Sequence, residues 1–161
     1  MGMSGIGIGG PQQPDYNGPS GNGLRAAALS DLNSVKNSIL NASQEDYNYQ
    51  VSHADQGPGA HVSHPLVSPS ASGLLDKAGD MIEGLYNDLQ RGIPDKAQFL
   101  HALADLKIKL DEVRAAFSAP ANGGDDQAVA ACNHIQTSCQ QALDSLNNAF
   151  RNAEQPQFYN G

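Results

Sequence analysis

Three groups of residues carry chemistry-competent side chains at spacings worth testing. The first is a histidine loop, His53-Ala-Asp55 followed by His61-Val-Ser-His64. Zinc sites do use His and Asp as ligands, but this spacing matches no zinc pattern, and the segment is rich in Gly and Pro. The expectation is a set of surface histidines, which reduce the chain's negative charge below about pH 6.5 if exposed. The second group is Cys132-Asn-His134. On a helix, two residues amount to about 200° of rotation, so thiol and imidazole point apart rather than forming a nucleophile–base pair. The third is His101, followed by Ala102-Leu103-Ala104-Asp105. A phosphotransfer bundle would carry His-x-x-Lys-Gly there, and this chain does not. Glu-x-x-His pairs of the di-iron bundles are missing too. The N-terminal glycines have no Lys-Ser/Thr after them, so no phosphate-cradling loop is expected. No catalytic, cofactor-binding or metal set is assigned, and the chain reads as a non-enzyme.

The two cysteines illustrate how position decides role. Cys132 and Cys139 are seven apart on one predicted helix, which separates their Cα atoms by roughly 10 Å. A disulfide needs less than ~7 Å, so the two cannot bridge while that helix stands. Both fall on an apolar stripe with Val129, Ile135, Ala142 and Leu146, and read as small buried hydrophobes. A disulfide between copies is the alternative, in an oxidising compartment.

The elements around these residues are helical. Phe99, Leu103, Leu106, Leu110, Val113 and Phe117 recur at spacings of four, three, four, three and four, one stripe over about five helical turns. Ile135, Leu146 and Phe150 continue the weaker stripe of the helix that holds the cysteines. A first helix is expected over residues 24–40 with Asn22 as its cap, burying Leu24, Ala28, Leu32, Val35 and Ile39. A second is expected over 72–91, with Leu74, Ala78, Ile82, Leu85 and Leu89 facing inward. Leu75, Met81 and Tyr86 widen that stripe. Gly79 and Gly84 within it weaken the helix or mark a close helix–helix approach. Gly92 suits a left-handed helix end followed by an apolar contact from Ile93. Asp95 with Gln98 reads as a capping box. That short turn makes the second and third helices an antiparallel hairpin. A third helix ends near Ser118, Asn122-Gly123-Gly124 turns the chain, and Asp125 caps a fourth helix that runs to about Ala153.

The expected fold is therefore all-α: an irregular four-helix bundle over residues 23–155, with the hairpin and the fourth helix as its core. A flexible Gly/Pro-rich N-terminal arm, residues 1–22, precedes it. A long Pro-containing crossover, residues 42–69, joins helices one and two and has room for an extended piece at 48–52. An aromatic C-terminal tail, residues 156–161, places Phe158 and Tyr159 outside any helix, free to dock on the bundle or on a neighbour.

Composition bounds the function. Charged residues are 16% of the chain, against roughly 25% in ordinary soluble domains. Asn, Gln and Ser, 40 in all, take their place. Helices faced with neutral amides repel one another little. The net charge of −8 and scattered basic residues make nucleic acid and anionic membranes poor partners. No segment approaches the ~20 apolar residues of a membrane span. The N-terminus has no Sec-type signal pattern, which leaves the cytoplasm or export by a non-Sec route. This composition resembles that of secreted helical assemblies such as type III secretion needle and filament proteins, a likeness that covers no diagnostic motif. The expected partner is protein, first of all copies of the same chain, in a filament, shell or secreted assembly. The alternative is a monomeric helical binding module, such as an exported effector or adaptor.

Overall fold

The computed structural model describes residues 20–53, 65–121 and 125–161. Four helices form an antiparallel bundle: α1 (Gly21–Ser52), α2 (Pro69–Arg91), α3 (Lys96–Ala116) and α4 (Asp126–Glu154). A short 3-10 turn (Pro156–Tyr159) closes the chain. The described residues contain no strand.

Each helix buries one stripe. On α2 it is Ala71, Leu75, Ala78, Ile82, Leu85 and Leu89. On α3 it is Phe99, Leu103, Leu106, Leu110 and Val113, with Phe117 at the C-cap. On α4, Cys132, Ile135, Cys139, Ala142, Leu146, Ala149 and Ala153 keep a three–four alternation to the end. The stripes meet in one continuous core.

Several boundaries differ from the sequence reading. α1 is capped by Ser20, whose hydroxyl accepts from the Gly23 N–H at 3.0 Å, and not by Asn22. Residues 20–22 of the expected arm thus belong to the cap and first turn of α1, and residues 1–19 lie outside the described residues. α1 also continues twelve residues past Leu40, so the first part of the expected crossover is helix, and residues 48–52 are helical rather than extended. The reason lies in its buried face, which continues as Ala42 and Asp46. The helical period persists there while its hydrophobicity fades. α2 begins at Pro69, a favoured first-turn position, with Ser68 accepting from the Ala71 N–H at 3.1 Å.

Other differences are local. Leu75 rather than Leu74 is the fully buried residue of its pair, and Val129, expected in the core, is 42% exposed beside buried Ala128. Gly84 marks no close approach, since a Cβ there would meet nothing within 4 Å. Gly92 has a positive φ of 151° with ψ −156°, which is not the left-handed helical end expected but is still a conformation essentially reserved for glycine. Ile93 does not fold back into the core and stays exposed. Asp95 caps α3, accepting from the Gln98 N–H at 3.0 Å, which is one half of the expected box. Asp125 caps α4 through the Ala128 N–H at 2.7 Å. The Asn122-Gly123-Gly124 turn lies outside the described residues.

The most extensive helix pairing is α1 with α4, not the α2–α3 hairpin with α4. Ala and Cys fill much of the α4 stripe, and small side chains let two helices approach along their length.

The tail is part of the bundle. Phe158 is fully buried and stacks on Phe99, ring centroids 5.7 Å apart. The Tyr159 hydroxyl donates to the Ala153 carbonyl at 2.7 Å, and Lys96 lies over its ring. From α1, the Arg25 guanidinium donates to the Phe158 and Asn160 carbonyls at 2.6 and 2.7 Å. Gly21 makes this closure feasible: a Cβ there would lie 2.3 Å from the Gln157 carbonyl oxygen.

Candidate protein-docking trough

The residues singled out from sequence are interior ones. Phe99, Leu103, Leu106, Leu110, Val113, Phe117, Cys132, Ile135, Cys139, Leu146 and Phe158 are all buried within a single copy. Phe150 and Tyr159 are half-buried against the same core. They build the bundle and present little to a neighbour.

Among the described residues, histidines and cysteines are not gathered into one place. Cys132 is buried, while His134 is exposed and sits 3.0 Å from Glu45 of α1. His101 pairs with Asp105 on the surface of α3, 3.3 Å away. His53 caps α1, stacks on Tyr49 at 4.0 Å and lies 3.7 Å from Asp125. His61 and His64 lie outside the described residues. Among the described residues no cluster of three His, Cys, Asp or Glu could hold a metal ion. Burial pushes the Cys139 thiol up to about 11, and it raises that of Cys132 also, with a further contribution from Asp46. Neither thiol is poised as a nucleophile.

What sequence reasoning missed is Asp46. It stands where the α1 period requires an apolar residue, is only 5% exposed, and is the buried charged residue of the described chain. Its Oδ2 accepts from the Ser72 hydroxyl at 2.7 Å, and Gln50 in turn donates to Ser72 at 3.4 Å. Its Oδ1 has no hydrogen-bond partner. A buried carboxyl with half its acceptors unmet costs stability, and such departures from a local pattern concentrate at functional sites. The available signal was the period itself: read through Ala42, it arrives at position 46.

Asp46 lies in the wall of an open trough between α1 and α2. Two hollows of about 410 and 290 Å³ share Leu40, Ser43, Leu75 and Asp76 and so run together. From Lys36 to Gln50 on α1 the trough is roughly 21 Å long. Leu40 and Tyr47 stand on its lip, 55% and 63% exposed, and Val51, also exposed, continues the line at i+11 from Leu40. Among the described residues, this is a helical stripe that no other element covers. Gly79 lies in one hollow, where a Cβ would touch Ile39 at 3.9 Å, so its absence leaves space.

The charges of the trough are one-sided. Asp46, Asp76, Asp80 and Glu83 line it, against Lys36 alone. Lys36 is turned to Glu83 at 3.7 Å and over the Tyr86 ring. Other hollows differ. That between α3 and α4 has polar walls, and its Arg114 is held by Asp111 and Gln140. That under the α2–α3 turn carries the paired Asp88 and Arg91.

No described helix is long and apolar enough to cross a membrane. Compared with family models, with curated proteins and with solved structures, the chain matches none.

Proposed function

We propose that this protein is a non-enzymatic helical binding module that takes another protein into the α1–α2 trough. The observation that carries this reading is the exposed Leu40–Tyr47–Val51 stripe beside a hollow whose wall holds the buried, half-satisfied Asp46. Apolar side chains at helical spacing along a groove are how helix-in-groove recognition is built.

Self-assembly, favoured by composition, is less well supported by this geometry. The aromatic tail, offered either to the bundle or to a neighbour, docks on its own chain, and the apolar stripes close within one bundle. Two acidic troughs set face to face would also repel.

Photo-cross-linking tests the reading. A benzophenone side chain is placed at position 47 or, as a control, at exposed Ile108 on α3. In the cells that make this protein, position 47 should give a discrete protein adduct that is lost when Leu40→Asp is added. Position 108 should give none. Absence of an adduct at 47, or equal adducts at both positions, rejects the trough as the docking face.

A further inference from the structure

We infer that the occupant of the trough is a basic amphipathic helix of about four turns, its apolar side on Leu40 and Tyr47 and its Lys or Arg side chains on the α2 rim. The inference rests on the docking role proposed above and adds the chemistry of the partner.

Length comes first. The trough spans roughly 21 Å along α1, the rise of about fourteen helical residues. Charge sets the sign. Asp76, Asp80 and Glu83 follow at i, i+4 and i+7 along one edge of α2, so their carboxyls form a row facing the groove. Lys36 reaches only Glu83, and no described ion pair engages Asp76 or Asp80. A partner with cations three or four residues apart meets that row in register, whereas an acidic helix meets it with repulsion.

Asp46 is the second, independent observation. Its carboxyl lies in the trough wall, more than nine-tenths buried, with Oδ1 unpaired. Its charge, just behind the trough wall, adds to the negative field that a partner's Lys or Arg side chains meet, without direct contact to the buried Oδ1. A second copy of this chain is the weaker occupant. It carries 17 acidic residues against nine basic, and its own exposed stripe on α1 is flanked by carboxyls.

The test is selection from a displayed library of fourteen-residue helices. Each holds a fixed Leu stripe at i, i+4, i+7 and i+11, and its flanking positions are drawn equally from Lys, Glu, Gln and Ala. The bait is the full chain, and the L40D/Y47D double variant serves for counter-selection. Lys should exceed Glu severalfold at the flanks after selection. The best peptide should lose about tenfold or more in affinity on the double variant, and a smaller factor on D76N/D80N that shrinks as salt is raised. Circular dichroism of both variants confirms that the bundle is intact.

Selected peptides with Lys and Glu in equal measure overturn the basic-partner chemistry while leaving the trough in place. Peptides that bind the double variant as well as the wild type reject the trough itself. No enrichment, or a chain that forms dimers dissociated by Tyr47→Asp, also overturns the inference, the latter by naming a second copy as occupant.

Discussion

Asp46 is where stability and recognition pull apart. A buried carboxyl with one donor and one empty acceptor is a poor core residue, and an apolar side chain of similar size usually does better there. Asp46→Leu should raise the free energy of unfolding by ~1 kcal/mol in urea melts while weakening partner binding. A loss of stability would show instead that Asp46 holds the Ser72–Gln50 end of the bundle together. The cysteines make the opposite case. Because burial raises the Cys139 thiol from 9.0 to about 11, its neutral form is favoured in the folded state. The unfolded chain then releases that proton first as pH rises. This contribution to stability is complete below about pH 9 and is lost as pH climbs to about 11, on the order of 2 kcal/mol. Tyr159, raised to about 12 by burial and by Asp95, adds a loss of the same sign at higher pH. Urea melts at pH 8 and pH 11 should show the fall. At pH 8 a thiol reagent should label neither cysteine in the native protein and both after denaturation.

At the scale of elements, the four helices and the α2–α3 hairpin were legible because hydrophobic residues mark a three–four period and Asp95 and Asp125 are good caps. The second half of α1 was not legible, since Ala42 and Asp46 carry the period with little hydrophobicity. Pairing of α1 with α4 was hidden for a related reason: a stripe shows that a face is buried but not against which helix. The cap stands two residues earlier than Asn22, at Ser20, and the tail closes over Gly21 beside it. That closure is testable. Phe158→Ala should cost about 3–5 kcal/mol, the usual loss for a buried aromatic. Gly21→Ala should cost ~2 kcal/mol, because its Cβ meets backbone carbonyls of the tail. In a chain truncated after Gln155 the same Gly21→Ala change should be neutral or mildly stabilising, since the clash is gone and alanine is the better helix former. An equal penalty in both backgrounds would show that Gly21 is needed by α1 itself.

The whole molecule is a bundle that satisfies its own stripes. Core residues of all four helices, the tail aromatic and both cysteines lie inside one copy, and among the described residues the exposed large apolar ones are few. Three of them, Leu40, Tyr47 and Val51, fall on one line beside the acidic trough. Ile93, Ile108 and Val129 lie apart in the chain on other helices and the α2–α3 turn. Composition alone suggested assembly, because amide-rich helices repel weakly. Where the described apolar residues face points instead to a bundle with an apolar-lipped groove between α1 and α2. Little of that groove was legible in advance: Leu40 closes the expected first helix, but Tyr47 and Val51 belong to a stretch of α1 read as linker, and the walls come from two helices whose adjacency the sequence does not encode. Sedimentation equilibrium of the full chain, over concentrations up to the millimolar range, tests this most directly. A single 16.9 kDa species throughout is the expected result. Reversible growth into oligomers that persists in the L40D/Y47D variant would contradict it, since copies would then be joining through a surface outside the trough.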